Sequence, residues 1–420
     1  MFFSIKKEVN IMKKALSVLV LFLSFAILFS SCAQQKAEDA TGEPSSAESR
    51  SLPMSSDSLK IDLGKAKLYF TTDKKNSVRS VKNDFSMIGS FCSDILFSSY
   101  RNDGDESITP DNVNWGGYDI KNGELTKFIN PDSVTADFSS EDSIIMNDTD
   151  LYEFTTPKHD ESNNNKCVLI RASYSYSECA VELTIESASP TGIHMSKLNE
   201  DEFIYFDSDV MKYNVKTKKN DKFASAEAGV KILNACAYDN MVYIVCDVSG
   251  KKQLRAFDSA GKLQSTADFP NSSAIFNEFK VFGDYIFAGY HDAAIYKIQN
   301  GSISIFEKER DPAEIYLIYG NANATNTKNC PYVIFSKKYT SSNGKSSEYK
   351  LINLFNDKVY DISFTPEEGD FTVVSSVVTD EYGNLLVKMD STDDNGETSP
   401  DCKYYKVDAT AIKLMLGEKQ

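Results

Sequence analysis

The stretch "YDIKNGELTKF", residues 118–128, returns as "YKIQNGSISIF" at residues 296–306, and this repetition decides the fold. Both copies place Tyr, Ile, Asn-Gly, an aliphatic residue and a final Phe at matching positions. Asn-Gly supplies the positive φ angles that a two-residue type I′ turn requires, so each copy predicts a β-hairpin. A chain that contains the same hairpin twice is expected to be built from repeats.

Further copies of this hairpin occur along the chain. A close one is "LRAFDSAGKLQST" at 254–266, and weaker ones are "MKYNVKTKKNDKF" at 211–223, "LINLFNDKVYDI" at 351–362 and "YYKVDATAIKL" at 404–414. The apolar residues that precede the turns are Ile120, Val215, Phe257, Ile298, Leu354 and Val407. The first interval, of 95 residues, is about double the others, so one more copy is expected inside it, at 167–187.

A short apolar run precedes most of these hairpins. The runs are "DILF" at 94, "EFIYF" at 202, "MVYIV" at 241, "DYIFA" at 284, "PYVIF" at 331 and "NLLVK" at 384. Continuous apolar runs suit strands buried on both faces. Each unit is therefore interpreted as an inner strand, a central strand, a turn and an outer strand.

A repeat of about 40–50 residues with four strands is the signature of a β-propeller blade. The sequence predicts an all-β fold, a seven-bladed β-propeller over residues 58–420. The alternative is one or two β-sandwiches, which also combine regular strands with turns. The 26 Phe and 22 Tyr against a single Trp fit either sheet-rich fold.

The periodicity over residues 75–415 resembles propellers of the quinoprotein-like or WD-like general type. The Gly-His and Trp-Asp marks of WD repeats and the regular Trp of quinoprotein blades are absent from this sequence. The resemblance therefore implies a fold and no particular activity.

Residues 12–32, "MKKALSVLVLFLSFAILFSSC", have the order of a secretory signal peptide, and the start is Met1 or Met12. The apolar run is shorter than the ~20 residues that span a bilayer. Its end, "LFSSC", resembles the relaxed lipobox of spirochaete lipoproteins. The resemblance implies a signal peptide over 1–31 and a diacylglycerol on Cys32; the alternative is an ordinary signal peptide with an incidental cysteine.

Residues 32–57 are expected to be a lipidated cysteine followed by a disordered tether. The segment is rich in Ser, Ala, Glu and Pro and nearly lacks large apolar side chains, so it cannot offset the entropy of ordering. Ala33 and Gln34 do not resemble the Asp that retains many lipoproteins at the inner membrane. The chain is expected in the cell envelope, anchored through lipid, with the outer membrane favoured, on its periplasmic face or at the surface.

Composition limits the partners. A net charge of −16 repels phosphate backbones and no basic stripe counters it, so nucleic-acid binding is not expected. The eight cysteines include no CxxC pair, which argues against a zinc or thioredoxin-like site. Cys236 and Cys246 lie in apolar strand-like stretches and are expected to behave as small hydrophobic residues.

The sequence predicts no catalytic residue and no cofactor. His159, His194 and His291 are far apart, and the commonest hydrolase and nucleotide-binding motifs are absent from the sequence. The acidic loops "NDGDES" at 102–107 and "DDNGE" at 393–397 have oxygen ligands that Ca²⁺ could use, without EF-hand spacing. The question of a metal stays open.

Three functions fit these observations. The first is a membrane-tethered binding or scaffold lipoprotein with a protein partner, and analogy of fold and anchor suggests envelope biogenesis as its setting. The second is a glycan-binding or hydrolytic propeller that uses carboxylates from several blades at the central channel mouth. The third is contact with a host or the environment at the cell surface.

Overall fold

A computed structural model describes residues 56–65, 67–71, 91–101, 113–119, 121–122, 124–127, 144–155, 166–187, 193–271, 276–288, 294–308, 314–319, 328–339, 347–365, 371–392 and 398–417. All of them belong to one compact unit, residues 51–420. The second unit, residues 1–50, lies outside the described residues, and with it the predicted signal peptide and Cys32.

The described strands form seven sheets, named I to VII in chain order. Before sheet I come β1 (Ser56–Asp62), a 3₁₀ turn (Leu63–Lys65) and β2 (Lys67–Thr71). Sheet I contains β3 (Phe91–Cys92), β4 (Ile95–Arg101), β5 (Val113–Asp119) and β6 (Glu124–Lys127). Sheet II contains β7 (Ile144–Met146), β8 (Asp150–Thr155), β9 (Lys166–Ser173) and β10 (Glu178–Glu186). Sheet III contains β11 (His194–Lys197), β12 (Glu202–Phe206), β13 (Val210–Asn214) and β14 (Lys219–Ala224).

Sheet IV contains β15 (Val230–Tyr238), β16 (Met241–Val248), β17 (Lys251–Asp258) and β18 (Leu263–Asp268). Sheet V contains β19 (Phe279–Phe282), β20 (Tyr285–Ala288), β21 (Ala294–Gln299) and β22 (Ser302–Lys308). Sheet VI contains β23 (Glu314–Tyr319), β24 (Tyr332–Tyr339), β25 (Ser347–Asn353) and β26 (Val359–Thr365). Sheet VII contains β27 (Phe371–Thr379), β28 (Leu385–Thr392) and β29 (Thr398–Val407), followed by helix α1 (Ala409–Met415).

Within each sheet, strands that follow one another in the chain pair side by side and antiparallel. The first strands of successive sheets also contact each other, as β7, β11, β15 and β19 do. These strands form the inner side of a β-propeller, so the predicted all-β propeller is confirmed and the β-sandwich alternative is not. The predicted count of seven blades is wrong: six sheets are blades of four strands, and sheet VI departs from this pattern because β1 adds a fifth strand to it.

The repeated hairpin occupies one place in the propeller. It is formed by the third and fourth strands of a sheet, as β21 and β22 show, and the copy expected at 167–187 is formed by β9 and β10. Asn300 and Gly301, between β21 and β22, have φ angles of 53° and 75°, as a type I′ turn requires. The apolar runs are second strands, not the inner strands that we expected, because a further strand precedes each of them.

The two ends of the described chain close the ring together. β2 pairs antiparallel with β29 and supplies the fourth strand of sheet VII. The hairpin predicted at 404–414 is therefore wrong: after Val407 the chain forms α1, and the place of its fourth strand is taken by β2. β1 adds to sheet VI, parallel to β26, and buries Leu59 and Ile61 in strict alternation with exposed neighbours.

Apolar side chains fill the spaces between neighbouring sheets. One cluster joins sheets I and II, a second joins II and III, a third joins III and IV, and the largest extends over sheets IV to VII. A single blade cannot bury both of its faces alone, which is the physical reason for stacking the repeats. Within the described ranges, no helix combines the length and apolar character that a membrane span requires.

Because neighbouring strands run in opposite directions, the turns between them lie at two opposite ends of the ring. The lower end is defined as the end with the turns that join the first strand to the second and the third strand to the fourth. The upper end has the turns that join second to third strands and the connections to the next sheet. Asn147 and Asp148, in a lower-end turn of sheet II, have φ angles of 54° and 60°, a conformation that Asn and Asp tolerate better than other side chains.

Candidate functional site at the ring centre and an upper groove

Lower-end turns from sheets I, II, III and VII meet in one polar cluster, the lower cluster, which contains Cys92, Asp148, Lys197, Asp380, Glu381 and Tyr382. The turns of sheets I and II are tight, since they join adjacent antiparallel strands. The turn of sheet VII, residues 380–384, is longer and supplies three consecutive side chains to the cluster.

Asp380 shapes this longer turn. Its Oδ1 accepts hydrogen bonds from the backbone N–H groups of Tyr382 at 3.0 Å and Asn384 at 2.8 Å. Its Oδ2 accepts from Asn384 Nδ2 at 2.7 Å and from the backbone N–H of Ser93, in sheet I, at 3.1 Å. Burial raises the pKa of Asp380, and these donors offset part of that rise. Both carboxylate oxygens of Asp380 thus accept hydrogen bonds that hold the turn in shape, which is a structural role.

Glu381 forms an ion pair with Lys197, at the end of β11 in sheet III, with 2.7 Å between Oε2 and Nζ. The two side chains are 4% and 1% exposed, so both charges are removed from water. Burial raises the pKa of Glu381, and the carboxylates of Glu200 and Asp148 raise it further, while Lys197 opposes them. A buried pair of this kind requires both partners, because either charge alone would be costly.

Asp148 lies between Cys92 and Tyr382. Its Oδ1 accepts hydrogen bonds from the Tyr382 hydroxyl at 2.8 Å and from the Cys92 thiol at 3.4 Å. Burial and the nearby carboxylates, Asp148 first, raise the pKa of Cys92. The thiol is therefore protonated at neutral pH and is a poor nucleophile.

Cys92, Asp148 and Glu381 also have the residue types of a metal site, and their potential ligand atoms lie within 4.8 Å of one another. Lys197 already neutralises Glu381, and two donors already bind Asp148. The charge and hydrogen-bonding groups of these residues are therefore partnered within the lower cluster, and contacts between sheets explain why the residues lie together.

A groove of about 630 Å³ lies at the upper end, between the β12–β13 turn, the start of β15 and the residues before β19. Its lining includes Phe206, Lys231, Leu233, Lys252 and Phe276. This volume falls in the range of about 300–1,000 Å³ that is typical of ligand pockets. Aromatic, aliphatic and cationic groups share its surface.

One wall of the groove is fixed by Asn234, which is 1% exposed. Its Nδ2 donates to the backbone carbonyls of Phe276 at 2.9 Å and Asn277 at 3.1 Å, and its Oδ1 accepts from Ala235 N at 2.7 Å. The β15–β16 pairing shifts register between Ile232 and Asn234, next to the groove-lining Leu233. The side-chain amide of Asn234 therefore holds the backbone of Phe276 and Asn277, just before β19, in place.

Most of the residues that the sequence singled out are found neither in the lower cluster nor in the upper groove. Cys32, His159, His291 and the acidic loops 102–107 and 393–397 lie outside the described residues, and His194 begins β11. Cys236 and Cys246 are buried, free and packed in apolar clusters, which confirms their expected hydrophobic role.

The residues that sequence reasoning missed are Lys197, Asp380 and Glu381. Lys197 and Glu381 are 184 residues apart, and no spacing rule joins them. The run "DEYGN" at 380–384 was a possible signal, since an Asp followed by Gly-Asn after a β-branched strand indicates a turn.

Comparison with known proteins yields no family model and no curated protein that matches this chain. Solved structures match weakly. The β-propeller domain of the trilobed protease from Pyrococcus furiosus is 11% identical over 64% of this chain and 80% of that chain, with a TM-score of 0.39. TolB from Acinetobacter baumannii is 10% identical over 75% of this chain and 80% of that chain, with a TM-score of 0.36. These values are too low to indicate an activity.

Proposed function

We propose that this chain is a membrane-tethered binding or scaffold lipoprotein of the bacterial envelope, acting at the periplasmic face or the surface, with the outer membrane favoured. Propellers serve binding and catalysis alike, so the fold alone decides neither. The proposal is supported by the ring, by the upper groove and by the lipobox-like sequence that ends at Cys32.

The observation that carries the binding role is the preformed wall of the groove. The buried amide of Asn234 holds the backbone of Phe276 and Asn277 in position. A wall that is already ordered lowers the entropy lost when a partner binds. Phe206 and Lys231 then offer an aromatic and a cationic contact to a protein partner in envelope biogenesis.

The binding role is tested by chemical cross-linking in cells, mild solubilisation of membranes and purification of the full chain. A partner should be recovered in stoichiometric amount with the natural chain and lost with Lys231→Glu, which changes an exposed groove residue. Lys219→Glu, at an exposed position of β14, is the matched control and should retain the partner. Equal recovery with both variants, or no partner with the natural chain, would refute the groove as the binding surface.

The tether is tested separately. Mass spectrometry of the mature protein should find acyl chains on Cys32, and Cys32→Ala should release the chain from washed membranes. An unmodified N-terminus downstream of Cys32 would disprove the lipoprotein claim and leave the groove experiment intact.

The second candidate, a glycan-binding or hydrolytic site at the channel mouth, is favoured by the carboxylates of Asp148, Asp380 and Glu381, which converge in the lower cluster. The pKa of Asp380 and of Glu381 is raised, as is common for catalytic acids. A glycan screen with the natural chain and Glu381→Gln tests it: hydrolysis or binding that Glu381→Gln abolishes would replace the scaffold proposal.

A further inference from the structure

The turn of residues 380–384 in sheet VII contacts each of the first three sheets of the ring through consecutive residues. Asp380 binds the backbone of Ser93 in sheet I, Glu381 binds Lys197 in sheet III, and Tyr382 binds Asp148 in sheet II. Sheet VII closes the ring, because it combines β2 from the start of the propeller with β27–β29 from its end.

A further polar contact joins the same sheets. Lys406, in β29, donates from Nζ to the carbonyl of Ser93 at 2.8 Å and to Asp94 Oδ1 at 2.8 Å. The charged groups at this closure are thus Asp94, Asp148, Lys197, Glu200, Asp380, Glu381 and Lys406, with the hydroxyl of Tyr382 and the thiol of Cys92.

Sheet VI and helix α1 also contact the turn. Tyr332, in β24 of sheet VI, donates its hydroxyl to the carbonyl of Gly383, and Asn384 accepts from the backbone N–H of Ala409 at 2.9 Å. Gly383 has a φ of 85°, and a Cβ there would meet Tyr332 and Cys330 at 3.5 Å. Gly383 and Asn384 are therefore fixed on sheet VI and on α1, while Asp380, Glu381 and Tyr382 contact sheets I to III.

We propose that the turn Asp380–Asn384 is a latch that holds sheet VII to sheets I–III, and that its release opens the ring at this end while each sheet keeps its own strand pairing. The latch contacts are few and lie in turns, whereas the strands on either side pair along their lengths. Local opening of this kind is expected where side-chain contacts, and not strand pairing, join two units.

The test is hydrogen–deuterium exchange of the full chain with Tyr382→Phe, which removes only the hydroxyl that binds Asp148. Tyr285→Phe is the matched control, because the Tyr285 hydroxyl donates to Asp357 Oδ1 at 2.7 Å and joins sheets V and VI at the same end. A hydrogen bond to a carboxylate contributes enough for about a tenfold or larger change in the opening equilibrium. Tyr382→Phe should raise exchange about tenfold in residues 91–96 and 144–152, and Tyr285→Phe should not.

Cys92 provides a second readout, since it lies buried at the latch. Tyr382→Phe should speed alkylation of Cys92 in the native protein and leave that of Cys236, in sheet IV, unchanged. Unchanged exchange at 91–96, an equal rise in all sheets, or an equal effect of Tyr285→Phe at 91–96 would each overturn the latch. Tyr382 is 37% exposed, so loss of its hydroxyl should not prevent folding.

Discussion

The ion pair between Lys197 and Glu381 allows a quantitative test of the ring centre. Lys197→Met keeps a long apolar side chain of similar size but leaves the Glu381 carboxylate, 4% exposed, without its partner. Removing one member of a buried pair costs about 3–5 kcal/mol. Glu200, which also contacts Lys197, cannot neutralise Glu381 in this variant, because it is an acid too; its side chain is 74% exposed.

The expected cost depends on pH in a defined direction. The folded-state pKa of Glu381 is raised, so the folded chain binds this proton more tightly than the unfolded chain does. Without Lys197 that pKa should rise further, and the variant should regain stability as the pH falls toward the ordinary range of a glutamic acid. Near neutral pH we expect a loss of about 3 kcal/mol.

The assay is urea unfolding followed by circular dichroism, for the natural chain, Lys197→Met, Glu381→Leu and the double variant. Each single variant should lose about 3 kcal/mol, and the double variant should lose about 1 kcal/mol or less, because no buried charge remains. A single-variant loss below about 1 kcal/mol, or losses that simply add in the double variant, would refute the buried-pair reasoning.

Three more predictions follow from local contacts. Asn234→Ala should cost about 1–3 kcal/mol in the free energy of unfolding and raise hydrogen exchange just before β19, because the carbonyls of Phe276 and Asn277 lose their donor. Unchanged exchange there would contradict the role of Asn234 in holding the groove wall. Ile61→Ala should cost about 2–5 kcal/mol in urea unfolding, since Ile61 is 1% exposed in the core, and a loss under 1 kcal/mol would mean that β1 does not pack as described. Burial raises the pKa of the Cys236 thiol to about 12, so iodoacetamide at pH 8 should modify it only after unfolding, and rapid modification of the native chain would show that sheet IV opens.

Local chemistry explains how much of the fold could be predicted. The hairpin formed by β21 and β22 is specified by Asn300-Gly301, whose positive φ angles depend on those two residues alone. The second strands were found because their apolar runs are continuous. The first strands of sheets I and II were missed, since β3 has two residues and β7 three, too few to show a period.

The lower cluster could not be predicted for a different reason. Its residues come from four sheets, and the contact between Lys406 and Asp94 joins positions 312 residues apart. Such a contact exists only once the ring has closed. A carboxylate at a turn has no sequence feature that distinguishes a solvated surface position from one that will face a lysine on another sheet.

The departures from the repeat nevertheless indicate where the ring closes. Two residues join the first and second strands in sheets I, IV and V, three in sheet II, four in sheet III and twelve in sheet VI, while five residues, Asp380–Asn384, do so in sheet VII. Sheet VII is also the sheet that lacks its own fourth strand and receives β2. Its five-residue turn allows consecutive side chains to reach Ser93, Lys197 and Asp148 on three sheets, so the closing sheet makes contacts that the repeat does not provide.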